Sequence, residues 1–183
     1  MMMKMQTLKA AKVLRQGRVL AHQTSTLAGI AASPLCPAAV AKVQRFKQRK
    51  APFLLLADSK KTALQQAVYI SKDLRTLAQT SWAGAVTLVF KARKHLHPAC
   101  YQSGYIAIRV DADVETRRLA KACGGLMLSS SFNRKGQVVM PLSKRIHFRY
   151  HRHIDAMLPS TGQTDGKASK IYKITGKKVV QLR

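Results

Sequence analysis

Acidic residues are what this sequence has least of. Seven Asp and Glu stand against 33 Lys and Arg in 183 residues, a formal charge of +26. So few carboxylates argue against paired-carboxylate acid/base chemistry. Three of them, Asp111, Asp113 and Glu115, fall where a helix is starting, and helix capping accounts for them. Cysteine is scarce too: Cys36, Cys100 and Cys123 are isolated and lack CxxC spacing. That excludes a disulfide framework and fits the reducing cytoplasm. No run approaches the ~20 apolar residues of a membrane span, and the cationic start MMMKMQTLKAAKVLRQG has no continuous apolar core of a secretory signal. There is no Walker motif, no GxGxxG and no GxSxG elbow around Ser131. His147, His151 and His153 lie close in sequence and His95 and His97 form a second pair, but no Cys or carboxylate completes a ligand set, so no metal site is expected.

What is present is a globular composition, 46% hydrophobic, long enough to bury roughly two thirds of its unfolded surface. One domain over residues 1–183 is expected. The charge, spread along the chain, attracts polyanions: nucleic acid, nucleotides or an anionic membrane surface.

Helical and strand-like patterns alternate. The N-terminal segment reads as an amphipathic helix with Leu8, Ala11, Val13 and Leu14 on or near one face. RVLAHQT reads as a short strand, followed by a loop containing Gly29, Ser33 and Pro34. Pro37 opens a helix carrying Val40, Val43 and Phe46. PFLLLAD reads as a buried strand, and residues 60 to 80 as one or two helices. AVTLVFKA and GYIAIRVDA read as strands flanking a loop at HLHPACYQS. VETRRLAKACGG is a helix with a glycine end, and GLMLSSS the next strand. HIDAML, SKIYKI and KVVQLR complete the chain, with TGK as a tight turn. The intermixing predicts an α/β class: a mixed, twisted open sheet with flanking helices.

Two polar clusters adjoin apolar elements. FKQRK places Lys47 and Arg49 at a helix end, and two cations there can hold phosphate or carboxylate. SSSFN places hydroxyls and an amide at a strand end, suited to a nucleotide. Each has a plainer reading: cations favoured by the helix macrodipole, and a Ser-rich turn. A third group, Lys144, Arg149 and Arg152 near His147 and His151, reads either as an RNA-facing patch or as a solvated helix face.

Taken in order, the clusters resemble the YrdC family, which includes the TsaC-type threonylcarbamoyl-AMP synthases. The family's K-x-R and S-x-N pairs match Lys47-Gln48-Arg49 and Ser131-Phe132-Asn133. AHQTSTLAGI resembles its strand ending in Pro-Thr-Glu, SWAGAVTLVF its Trp-Pro-Gly-Pro-x-Thr segment, IAIRV its strand with a central Arg, and SKIYKITGKKVVQLR its closing hairpin. The likeness spans roughly residues 6 to 183.

Membership would imply a YrdC-like sheet around a basic concave cavity. It would also imply condensation of L-threonine, bicarbonate and ATP, with Mg²⁺, into L-threonylcarbamoyladenylate for modification of tRNA adenosine 37. On that resemblance Lys47 and Arg49 are catalytic, Ser131, Asn133 and Ser169 hold the nucleotide, and Thr24 and Arg109 hold threonine. Lys144, Arg149 and Arg152 would face RNA, and proteins of a tRNA-modification complex become possible partners. The sequence departs from the family at Gln23 and Ser25, which flank Thr24 where Pro and Glu are usual. It departs also at Ala28, which replaces an aromatic, at Ala83 and Ala85, which replace prolines, and at Lys173, which replaces Asp. These losses, with the high charge, leave a second reading: an RNA-binding paralogue, weakly catalytic or non-catalytic, on the same fold.

Overall fold

The computed structural model describes residues 5–159, 164, 166–176 and 178–183. The first four residues of the expected N-terminal helix, Asp165 among the carboxylates, and Lys177 of the expected TGK turn lie outside the described residues. In chain order the elements are α1 (Met5–Arg15), β1 (Leu20–His22), β2 (Gly29–Ala32), α2 (Pro37–Lys47), β3 (Leu54–Ala57), α3 (Lys60–Leu64) and α4 (Lys72–Ser81). Next come β4 (Val86–Lys91), a 3-10 turn (Pro98–Cys100), β5 (Tyr101–Gln102), β6 (Tyr105–Val110), α5 (Val114–Ala122) and β7 (Leu126–Ser131). α6 (Lys144–Arg149), β8 (Ala156–Leu158), β9 (Lys170–Thr175) and β10 (Lys178–Gln181) close the chain.

All ten strands join one sheet, ordered β10-β9-β4-β6-β3-β7-β2-β1-β8 with β5 appended to β6. It is mixed: β3 runs parallel to β6, β4 to β9 and β1 to β8, while the other pairings are antiparallel. The α/β class with a mixed sheet and flanking helices is as the sequence predicts.

Helix starts follow local chemistry. Ser59, Ser71, Asp113 and Ser143 each accept a backbone N–H from the third residue on, capping α3, α4, α5 and α6, and such caps are worth about 1 kcal/mol apiece. Pro37 opens α2, where a missing N–H costs nothing. On α1 the buried positions are Thr7, Ala10, Ala11 and Leu14, at spacings of three and four. Leu8 lies one residue off that stripe and is exposed, so the expected face is corrected by one helical step.

The period of two along each strand divides the core. Ile30, Leu55, Ile108 and Leu128 face one side, where Val40, Val43 and Phe46 of α2 and Leu74 and Ala78 of α4 cover them. Ala31, Leu56 and Met127 face the other side, covered by Ala10, Ala11 and Leu14 of α1 with Leu119 and Ala120 of α5.

One expectation is overturned: Gly29 lies in a strand, not a loop, paired with His22 on β1 and Ser131 on β7. A Cβ there would stand 3.1 Å from the Ser129 hydroxyl and 3.3 Å from both His22 Nε2 and the Ser130 carbonyl oxygen. The glycine marks close packing of strands, a use of glycine that composition does not separate from a turn. Likewise the expected loop over HLHPACYQS contains the 3-10 turn and β5.

His22 is fully buried, and its Nδ1–H donates to the Gln23 carbonyl oxygen at 3.1 Å. Its Nε2 has no hydrogen-bond partner among the described residues. Burial, outweighing the nearby Asp111 carboxylate, pulls its pKa from 6.5 down to about 4. The unfolded chain therefore binds more protons between those values, so stability is complete above about pH 6.5 and falls toward pH 4. Urea unfolding should lose about 3 kcal/mol across that window. His22→Gln should remove most of this slope; a variant retaining it would place the effect elsewhere.

Candidate active site

The site is the half of one sheet face that no helix covers. The face bearing Ala31, Leu56 and Met127 continues along the same strands to Gly29, Leu54, Ser129 and Ser131, with Ala107 and Arg109 of β6 alongside. There α1 and α5 stop, and the strands present small or polar side chains to a cavity of about 320 Å³. Its lining includes Thr24, Thr26, Ala28, Arg49, Thr87, Arg109, Ser169 and Arg183. Three arginines and several hydroxyls reach it, and among the described residues no acidic one does. Its described lining is therefore cationic.

Arg109 anchors the floor. It is 3% exposed, and its guanidinium donates to Thr26 Oγ1 at 2.7 Å and to Thr24 Oγ1 at 3.3 Å. Its Nη2 stands 2.7 Å from Asp111 Oδ2. The other Asp111 oxygen accepts the Ser25 and Asp113 backbone N–H groups at 3.0 and 2.9 Å. Burial lowers the Arg109 pKa and the Arg183 charge adds to that, while Asp111 opposes both. The capping role expected for Asp111 is therefore corrected. Asp113 caps α5 and Glu115 pairs with Arg118, but Asp111 is the fully buried counterion of the site.

Thr24 is consumed largely by its own loop. Its hydroxyl donates to the Leu27 carbonyl oxygen at 2.8 Å and accepts the Thr26 and Leu27 backbone N–H groups, each at 3.2 Å. At the positions that depart from the family, Gln23 Nε2 donates to the Thr24 carbonyl oxygen and the Ser25 backbone is held by Asp111. Ala28 lines the cavity, whereas Lys173 lies over the Tyr105 ring at 4.6 Å and does not line it.

The K-x-R pair splits at Gln48, which ends α2 in the left-handed conformation at φ 52°. That turn sends its two neighbours different ways. Arg49 packs over the Phe53 ring at 4.9 Å, donates to Ser130 Oγ at 3.4 Å and reaches the cavity. Lys47 is 5% exposed and does not line the cavity. Its Nζ donates to the Ser131 carbonyl oxygen at 2.6 Å, Asn133 Oδ1 at 2.6 Å and the Asn133 carbonyl oxygen at 2.7 Å, with Ser131 Oγ at 3.4 Å. Ser131 Oγ donates to Asn133 Oδ1 at 2.7 Å. Burial, then the charge of Arg49, lowers the Lys47 pKa to about 8. The ammonium clamps the end of β7 onto α2.

At the opposite wall Ser169 and Thr87 share a buried hydroxyl contact of 2.9 Å. Arg183 Nε donates to the Ser169 carbonyl oxygen at 3.1 Å.

Of the expected residues the cavity thus brings together Thr24, Arg49, Arg109, Ser131 and Ser169. Lys47 and Asn133 stand one layer behind, and Lys144, Arg149 and Arg152 lie elsewhere, on and just after α6. Sequence reasoning missed Thr26, Thr87 and Arg183. The available signal for Arg183 was its place at the end of a strand pairing with the SKIYKI strand. No group of three His, Cys, Asp or Glu among the described residues is arranged to hold a metal ion. Among the described residues the lining supplies no carboxylate, imidazole or thiolate ligand, so these residues do not fit a resident Mg²⁺.

Residues 12–183 match the family model for Sua5, YciO and YrdC, described as "Telomere recombination". Threonylcarbamoyl-AMP synthase of Coxiella burnetii is 31% identical over 152 residues, covering 81% of this chain and 82% of that protein. The crystal structure of P. abyssi Sua5 complexed with L-threonine superposes with a TM-score of 0.85 at 22% identity, covering 97% of this chain and 53% of that one. This chain therefore spans about half the length of that Sua5. E. coli YciO superposes with a TM-score of 0.82 at 18% identity, covering 97% of this chain and 87% of that one.

Two substitutions test how the site is held. Asp111→Ala leaves a buried guanidinium uncompensated and should cost about 3–5 kcal/mol in urea unfolding. A cost below about 1 kcal/mol would remove Asp111 from its anchoring role. Lys47→Met leaves buried oxygens at the β7 end unpaired and should cost about 2–3 kcal/mol, with Lys47→Arg failing to restore it because a planar fork does not fit the space of an ammonium.

Proposed function

The chain belongs to the Sua5, YciO and YrdC family, and we propose that it condenses L-threonine, bicarbonate and ATP into L-threonylcarbamoyladenylate. The observation that carries this reading is a cavity whose described lining has three arginines, a row of hydroxyls and no acidic residue, in a chain whose curated relatives are named threonylcarbamoyl-AMP synthase. The adenylate then serves modification of tRNA adenosine 37 by other proteins in the cytoplasm. Among the described residues no helix is long and apolar enough to cross a membrane.

The chemistry needs little from carboxylates. The threonine ammonium gives up a proton to solvent, the free amine attacks bicarbonate to form a carbamate, and water leaves. A carbamate oxygen attacks the α-phosphorus of ATP, and pyrophosphate departs with the electron pair of the broken P–O bond. The nucleophile already carries negative charge, so no protein base has to make it. What the protein must do is hold several anions together and offset charge in the transition state. Arg49 and Arg183 supply cations at the rim, and Arg109 a buried one at the floor. Ser131, Ser169 and Thr87 offer hydrogen bonds without adding repulsive charge. Lys47 and Asn133 act through Ser131, whose strand end they fix. Thr24, with its hydroxyl tied into the loop, shapes the threonine side. Mg²⁺ enters on the triphosphate as part of the substrate.

Incubation with threonine, bicarbonate and Mg-ATP should yield pyrophosphate and threonylcarbamoyladenylate, read by chromatography and mass spectrometry. Arg49→Ala should lower kcat about 10²-fold or more while leaving the fold intact. Absence of both products, with a related synthase active in parallel, overturns the reading and favours the non-catalytic RNA-binding alternative.

A further inference from the structure

The segment between β4 and β6 builds a second hollow, of about 470 Å³, that shares no lining residue with the cavity. Its apolar surface comes from the Tyr101 ring, Leu96 and Pro98, with Gly104 alongside. Lys94 and Ser103, both exposed, supply its polar groups. A mainly apolar hollow with a few polar groups is the usual form of a small-molecule site.

The walls are set before any ligand arrives. The Tyr101 hydroxyl donates to the Arg93 carbonyl oxygen at 2.8 Å and accepts the His95 and Leu96 backbone N–H groups at 3.1 and 3.2 Å. With its hydroxyl so engaged, Tyr101 offers the hollow the apolar body of its ring. The same bonds fix the backbone on both sides of Lys94. The Ala92 N–H donates to the Gly104 carbonyl oxygen at 3.0 Å, and a Cβ at Gly104 would meet no atom within 4 Å, so that side stays open. A site fixed in advance spends less of its binding energy on ordering itself.

The charge around the hollow is of one sign. Lys91, Arg93 and Lys94 are exposed, and residues 91–104 include no Asp or Glu. A wholly apolar ligand would leave that charge unanswered, and a bare phosphate would leave the Tyr101 ring and Leu96 facing water. A molecule that joins a ring or short chain to one carboxylate answers both.

One hydrogen bond ties this region to the cavity. Pro98 opens the 3-10 turn and Tyr101 follows it, and between them the Ala99 carbonyl oxygen accepts the Phe53 backbone N–H at 2.9 Å. Phe53 lines the cavity and carries the Arg49 guanidinium 4.9 Å from its ring centre. We propose that the hollow binds a small apolar carboxylate, its charge on Lys94 and its body against Leu96 and Tyr101, and that occupancy shifts Arg49 through Ala99 and Phe53. Binding there does not depend on the reaction assigned to the cavity.

The test is titration of isotope-labelled protein with phenylacetate and with hexanoate, followed by NMR; the two probes distinguish a ring from a chain as the apolar half. At least one should shift the amide signals of Lys94, Leu96, Tyr101, Ser103 and Gly104 with a Kd of about 1 mM, ordinary for so small a ligand. Phenylacetamide, which lacks the charge, and inorganic phosphate, which lacks the apolar body, should bind there about tenfold more weakly. Lys94→Glu should weaken binding about tenfold, and Leu96→Ala by a similar factor. Thermal melts check that both remain folded; should Leu96→Ala fail to fold, Lys94→Glu, altered at an exposed position, decides alone. The Phe53 amide and the Arg49 Nε–H, identified by its loss in Arg49→Ala, should shift with the same Kd. Shifts gathered instead at Ser129, Ser131 and Arg109 overturn the proposal, as does unchanged affinity in Lys94→Glu. Binding at the hollow that leaves Phe53 and Arg49 unmoved also overturns it. Pyrophosphate release is measured separately, and the titration reads equally well on an inactive protein, so failure of one reading is separable from failure of the other.

Discussion

The buried pair of Arg109 and Asp111 is the constraint on which the site depends. Taking both charges out of water costs several kcal/mol per ion before their attraction is counted, so the pair is a poor way to gain stability. Its return is geometry. One carboxylate oxygen meets the guanidinium while the other gathers the Ser25 and Asp113 backbone N–H groups. The guanidinium meanwhile holds the hydroxyls of Thr24 and Thr26. Thus β6, the loop after β1 and the start of α5 are fixed relative to one another through one carboxylate. That carboxylate is spent on Arg109, and among the described residues no other acidic group lines the cavity beside Arg49 and Arg183.

Around that anchor the cavity exists because one sheet face is only half covered. The strands are apolar where α1 and α5 lie on them and turn to Gly, Ala, Ser and Thr where the helices stop. β7 shows the change within one strand: Met127 is packed under α1 and α5, while Ser129 and Ser131 on the same face line the opening. A strand end with no helix above it would fray, and Lys47 prevents that from the side. Its ammonium replaces the missing cover with hydrogen bonds to Ser131 and Asn133. The left-handed turn at Gln48 then frees Arg49 to enter the cavity. One motif thereby both braces β7 and lines the cavity.

Much of this was legible in the sequence, for identifiable reasons. Strand runs such as PFLLLAD and the helix cap at Asp113 are local signals and stand where they were expected; the Lys47-to-Arg49 and Ser131-to-Asn133 clusters meet in space, but of those four named residues only Arg49 and Ser131 line the cavity. What was not legible depends on contacts distant in sequence. Asp111 looked like a cap because it precedes a helix as Asp113 does; only Arg109 beside it in space gives it another role. Gly29 looked like a turn because glycine is common there, and the packing of His22 and Ser129 around it is tertiary. Arg183, Thr26 and Thr87 belong to no motif, and a lone Arg in a chain this basic carries little information. Lys47 and Arg49 read as equals because their separation into strut and ligand follows from one backbone angle.

The same scarcity of acid has different consequences at the two cationic surfaces. In the cavity Arg109 is buried while Arg49 and Arg183 are exposed side chains held by hydrogen bonds to protein groups, and burial lowers the pKa of Arg109 and Arg49. The buried Arg109 charge acts strongly over short distances and is screened little by salt. The three arginines suit a small substrate with several anionic groups held at defined points. On α6 Lys144, Arg145 and Arg149 are exposed, and the sequence has no acidic residue between Glu115 and Asp155 to oppose them. Charge exposed in this way is screened by salt beyond about 10 Å. One formal charge of +26 therefore does not describe one function. Part of it is gathered at one cavity around the buried Arg109, and part is left in solvent along α6.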